Sequence, residues 1–74
     1  STLSAYSKYK KEADRFEAYA EGRINDLLKK GVEAQFIRSL REVEDKLSGD
    51  IRSGGANYDG AKSQFNKIIS EATK

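Results

Sequence analysis

Apolar side chains recur along this chain at steps of three and four, with polar ones filling the gaps. Tyr6, Tyr9, Ala13, Phe16, Ala20, Ile24 and Leu27 follow one another at spacings of 3, 4, 3, 4, 4 and 3. That spacing sets them on one face of an amphipathic helix. Leu3 extends the stripe backwards and Leu28 widens it at the far end. Thr2 or Ser4 is suited to cap the start. Lys29 and Lys30 suit the negative end of the helix dipole, and Gly31 is placed to adopt the left-handed conformation that stops a helix. A second stripe, Phe36, Leu40, Val43, Leu47 and Ile51, is spaced 4, 3, 4 and 4. Gly49 is one candidate stop, but Ile51 stays in phase, so the helix is expected to reach about Arg52, before Ser53-Gly54-Gly55-Ala56 breaks it. The third stripe is Tyr58, Ala61, Phe65, Ile68 and Ala72, with Ile69 beside it and Asn57 or Asp59 as its cap.

No strand-like alternation of useful length interrupts these patterns. They predict an all-α fold: an antiparallel three-helix bundle with a long first helix, in a single helical domain spanning 1–74, with helices at about 3–30, 33–52 and 58–73. Phe16, Ile24, Leu27, Phe36, Leu40, Val43, Leu47, Phe65 and Ile68 are the expected core. At 1.5 Å per residue the three helices measure about 40, 27 and 24 Å. A short turn at Gly31 makes the first two antiparallel, so the second helix folds back without reaching the start of the first. The opening turns, with Leu3, Tyr6 and Tyr9, are therefore expected to overhang. Tyr offers apolar area with a polar tip and is enriched at interfaces. Leu3, Tyr6, Tyr9 and Ala13 form the expected partner-binding stripe.

Composition narrows the chemistry. The chain has 74 residues and lacks Cys and His. A domain this short buries only about 60% of its unfolded surface, and it has no disulfide to staple it. Without His or Cys, the commonest metal ligands, general base and activated nucleophile are missing. No catalytic residue, metal, cofactor or small-molecule substrate is expected, and the protein is read as non-enzymatic. Ser7 with Lys11 and Ser63 with Lys67 read as exposed polar pairs on helices. Glu17 with Glu21 and Glu42 with Asp45 read as solvated carboxylates beside Lys or Arg. The glycine-rich run from Gly54 to Gly60 precedes a helix start, where an anion can bind, yet it lacks the lysine and glycine spacing of a phosphate loop and reads as a connector. No apolar run approaches the roughly 20 residues that cross a bilayer, so a soluble protein with no membrane association is expected. The compartment stays unknown, and the start at Ser1 with no Met suggests a processed or excised domain.

Charge leaves an alternative open. The 14 basic and 12 acidic residues are mixed along the chain. Lys8, Lys10, Lys11 and Arg15 form the densest basic cluster and could grip phosphate, but Glu12 and Asp14 follow directly and dilute its field. Nucleic acid is therefore not the expected partner. The expectation is a protein–protein interaction module, acting as an assembly subunit or a small adaptor or inhibitor, with a protein partner or a homo-oligomer. The alternative is a nucleic-acid-binding helical domain using Lys8, Lys10, Lys11 and Arg15.

Two short stretches resemble known helical families. Gly55 to Ala61, followed by Phe65 and Ile68, resembles the second helix of a tetratricopeptide repeat, over about a fifth of the chain and without the second copy that stacked repeats need. Leu28-Lys29-Lys30-Gly31-Val32, followed by Phe36, is similar to the first turn of albumin-binding three-helix modules of bacterial surface proteins, although the helix lengths differ. Neither stretch assigns a family.

Overall fold

The computed structural model describes residues 2–74, and side chains from Leu3 onward. Three helices make up the described chain: α1 (Thr2–Lys29), α2 (Ala34–Arg52) and α3 (Tyr58–Ala72). Each packs against the other two, and no strand occurs among the described residues. The fold is an all-α three-helix bundle with a long first helix. Cross-helix contacts give the directions. Arg41 meets Glu21, whereas the later Arg52 meets the earlier Asp14 and Glu17, so α2 runs against α1. On α3, Tyr58 meets Glu12 and the later Asn66 meets Tyr19, so α3 runs with α1.

Both inter-helix turns are glycine stops of the same design. Gly31 adopts φ 79° and Gly54 φ 83°. After each, the chain closes a double bond pattern onto the last helical turn. Val32 N–H donates to the Leu27 carbonyl at 3.2 Å and Gly31 N–H to Leu28 at 3.0 Å. Gly55 N–H donates to Asp50 at 2.8 Å and Gly54 N–H to Ile51 at 3.0 Å. This motif satisfies carbonyls that a helix end otherwise leaves bare. Gly49 lies inside α2, because Ile51 behind it is fully buried. At the start of α3, the Asn57 side chain accepts the Gly60 N–H at 2.8 Å, and Asp59 sits in the first turn, where the helix dipole favours a negative charge. Ser4 lies within the first turn of α1 rather than capping it. The capping role expected of Thr2 falls outside the described side chains.

The core forms where the three stripes meet. Ala13, Phe16, Ala20, Ile24 and Leu27 of α1 are buried against Leu40, Leu47 and Ile51 of α2 and Tyr58, Ala61 and Phe65 of α3. Phe16 and Phe65 meet edge to face, with ring centres 5.9 Å apart, a favoured geometry for aromatic pairs. Three expected core residues, Phe36, Val43 and Ile68, are instead half-buried at its margin, and Ile37 and Ile69 take central places. The reason lies in how α2 and α3 are turned. α2 is rotated so that Glu44 and Ser48 also enter the interface with α1, which moves Phe36 and Val43 outwards. Spacing finds an apolar stripe to within one residue, and the neighbouring helices decide its centre.

Two glycines respond oppositely to an added methyl group. Gly22 lies inside α1 with open space around its Cβ position, so Gly22→Ala should stabilise the fold by about 1 kcal/mol through helix propensity. A Cβ on Gly54 would lie 3.0 Å from Tyr9 Cε2 on a backbone with φ 83°. Gly54→Ala should destabilise by about 1–2 kcal/mol. Urea unfolding of both variants checks the pair, and a shift in the same direction for both would contradict this account of the turn.

Candidate functional site

The end of the bundle is fixed by four contacts on α1. Arg52 donates to Asp14 at 2.9 Å and to Glu17 at 2.7 Å. The Glu12 carboxylate accepts the Tyr58 backbone N–H at 2.9 Å. The Tyr9 ring lies against the Gly54 backbone. Beyond Tyr9, α1 continues back to Thr2, about 10 Å further along its axis. On this overhang Leu3 is 80% exposed and Tyr6 is 61% exposed. Tyr6 stands two turns before the fully buried Ala13, on the same side of the helix. It therefore continues the core-facing line past the point where α2 and α3 cover it.

The four residues expected to form the partner-binding stripe thus separate. Leu3 and Tyr6 are open. Tyr9 is half-buried under the turn between α2 and α3. Ala13 is fully buried in the chain's own core and leaves the stripe, because the turn after α2 docks at Tyr9, one helical turn beyond it. Leu28, at the opposite end of α1, is 45% exposed.

The basic cluster also separates. Lys10 pairs with Asp14 at 2.8 Å. The Arg15 guanidinium carbon lies 3.9 Å above the centre of the Tyr58 ring. Lys8 and Lys11 are exposed and line one shallow hollow with Ser4 and Ser7. The glycine-rich run is more than a connector. Its Gly54 packs on Tyr9 and its Asn57 caps α3, and the helix start that an anion would approach already has the Glu12 carboxylate.

Sequence reasoning missed two groups of residues. The first lies between α1 and α3. Tyr19 and Tyr58 meet edge to face at 6.5 Å, Lys62 Nζ lies 4.7 Å from the Tyr19 ring centre, and Asn66 Oδ1 accepts from Tyr19 Oη at 2.7 Å and Arg23 Nε at 3.3 Å. The spacing Arg15, Tyr19, Arg23 was visible as a row of i,i+4 neighbours, but only α3 shows what it packs on.

The second group is acidic and lies between α1 and α2. Glu17 and Glu21, expected to be solvated, sit half-buried in this seam. The Ser48 hydroxyl and Arg52 hold Glu17 below its usual pKa. Glu44 is only 5% exposed. Burial, the hydrogen bond with Glu21 and the charges of Glu21, Asp45 and Glu17 push its pKa up to about 8. Glu21 is lowered in turn, first by the bond to Glu44 and then by Arg41. The opposed shifts make Glu44 the member of the pair that holds the proton and Glu21 the one that accepts its hydrogen bond. Perturbed carboxyls also mark active sites, but this pair is packed between two helices, away from the hollows at the α1 overhang. Among the described residues no group of three His, Cys, Asp or Glu is placed to hold a metal ion, and no helix is long and apolar enough to cross a membrane.

The raised pKa of Glu44 sets a pH dependence. The folded state retains this proton where the unfolded chain has lost it. The stabilising contribution is complete below pH 4.5, the ordinary value, and is lost as pH rises towards about 8. Glu44→Gln retains a donor for Glu21 and has no proton to lose. The variant should match the native protein near pH 4.5 and exceed it above the folded-state pKa of about 8 by up to about 5 kcal/mol, at about 1.4 kcal/mol per pH unit. Urea unfolding at both ends of this range checks the sign, and a pH-independent difference would show that Glu44 does not hold its proton.

Comparison with protein-family models, with curated proteins and with solved structures gives no match. Neither short family resemblance is extended by it, and the functional reading rests on the side chains themselves.

Proposed function

We propose that this protein is a non-catalytic protein–protein interaction module, an assembly subunit or a small adaptor or inhibitor, that binds through the overhanging end of α1. One observation carries the reading: the core-facing line of α1 outruns its cover, leaving Tyr6 61% and Leu3 80% exposed. A large apolar side chain aligned with a core but left open is the kind of anchor that interfaces bury. Two such side chains fall short of the roughly 800 Å² per partner of a standard interface. They act as central anchors, and the rest of the contact comes from the flanks of α1. Those flanks carry Lys8, Lys10 and Lys11, with no acidic residue before Glu12. The surface is complementary to an apolar helical stripe bordered by carboxylates, which adds orientation and specificity to apolar burial. The lack of His and Cys supports the non-catalytic part of the reading.

Replacing Leu3 and Tyr6 together by Ser tests it, because both lie outside the core. In sedimentation equilibrium the native chain should rise above its 8.3 kDa monomer mass with concentration. The double variant should associate at least about tenfold more weakly, with helix content preserved by circular dichroism. A native chain that stays monomeric removes the assembly-subunit arm. The adaptor arm is then tested with an amphipathic helical peptide bearing a Leu stripe and Glu flanks, whose failure to shift the amide resonances of residues 3–9 would reject the overhang as a binding site.

A further inference from the structure

The geometry points to a second surface, which adjoins the overhang at Lys8 and Lys11: the α1–α3 face, with Lys8, Lys11, Arg15, Arg23 and Lys62, binds the phosphodiester backbone of a nucleic acid without reading its sequence. Lys11, Arg15, Tyr19 and Arg23 recur every four residues and so form one ridge of α1. Lys8 lies beside that ridge, three residues from Lys11 and seven from Arg15. α3 brings Lys62 to the same side, over the Tyr19 ring at 4.7 Å and the Tyr58 ring at 5.8 Å.

No ion pair ties up the cations of this face. Among the described residues none of the five has a carboxylate partner, as Lys10, Arg41, Lys46 and Arg52 have. The sequence argument against this cluster was dilution by Glu12 and Asp14. Folding removes part of that objection. Asp14 is held between Lys10 and Arg52, while Glu12, which accepts the backbone N–H that begins α3, keeps its charge at the edge of the face. Lys10 leaves the cluster with Asp14, while Arg23 and Lys62 join it. Asp59 remains nearby, in the first turn of α3 where the helix dipole holds its charge.

The aromatic rings identify the class of ligand. Arg15 lies over Tyr58 and Lys62 over Tyr19, so these ring faces are covered and do not serve as platforms for stacking bases. Instead they hold the cations in place and reduce the rotamer entropy lost when an anion binds. Tyr58 is buried and Tyr19 half-buried, so the face presents no exposed large apolar side chain for the dry centre of a protein interface. Phosphate contacts need no such centre. From Lys8 to Arg23 the ridge runs about 22 Å, the axial length of about six phosphates on one strand.

Fluorescence anisotropy with a labelled oligothymidylate of about 20 nucleotides, in low salt and again at higher salt, tests the proposal. Five released counterions give log K falling against log salt with a slope of about −3.5 for a single strand. Lys8→Gln with Lys11→Gln alters exposed side chains only and should weaken binding at least about tenfold in low salt. Arg15→Gln with Lys62→Gln should do the same, with its fold checked by circular dichroism. The charge-matched control Arg38→Gln with Lys46→Gln, on α2, should bind like the native chain, as should Leu3→Ser with Tyr6→Ser. No binding in low salt, or an equal loss in the α2 control, overturns the proposal. Equal displacement of the strand by polyglutamate also overturns it, and assigns the face to an acidic protein.

Discussion

The Glu12 carboxylate, accepting the Tyr58 N–H across the end of the bundle, determines how much of α1 its own chain can cover. A helix start leaves four backbone donors without partners, and at α3 the first of them, on Tyr58, lies against α1. Asn57 accepts one donor locally and Glu12 accepts another from a different helix. This anchors the turn after Gly54 onto the ring of Tyr9. α2 cannot extend past this point, because Gly54 has already reversed the chain, and α3 begins here. The open state of Leu3 and Tyr6 follows from the same contact that buries Ala13.

The packing of the helices also sorts charge. α1 touches both other helices, and its ionisable side chains divide between two sides. Asp14, Glu17 and Glu21 point along the α2 side, where Arg41, Arg52, Ser48 and the protonated Glu44 receive them. Arg15 and Arg23 point along the α3 side, where they meet a tyrosine ring and an amide oxygen instead of carboxylates. A chain with a net charge of only +2 thus carries a face whose five cations form no ion pair among the described residues. Among the described residues no buried side-chain polar atom lacks a partner. Glu44 meets that condition by retaining a proton, since a second carboxylate beside Glu21 would be a buried like-charge pair.

Much of this was legible in the sequence, and what was not has a common cause. The 3-and-4 spacing gave three helices. Gly31 and the Ser53–Ala56 break gave their stops, and the in-phase Ile51 carried α2 past Gly49. Unequal helix lengths gave the overhang with Leu3 and Tyr6. Ala13 was misplaced because helix length says how far α2 reaches but not where the following turn docks. Phe36 and Val43 were placed too deep because the apolar line of α2 does not show that Glu44 and Ser48 share its buried side. A buried glutamate has no signature in one helix's pattern, since what permits it is a carboxylate on another. The paired tyrosines of the α1–α3 face were likewise separated by 39 positions (Tyr19 to Tyr58) and became neighbours only through the parallel course of α3.

The two surfaces of α1 also differ in what holds them. The overhang is a helix end without tertiary support, so its order depends on helix propensity and on whatever covers it. The α1–α3 face is braced by the Phe16–Phe65 contact beneath it and by the Tyr19–Asn66 bond within it. Apolar burial at the overhang must therefore offset the entropy of ordering the helix end, whereas Arg15, Arg23 and Lys62 are already held by a ring or an amide oxygen before any ligand arrives. A core this small cannot cover all of a 28-residue helix. The excess length carries the apolar surface and the covered length carries the charged one apart from Lys8, so both capacities follow from a single inequality of helix lengths.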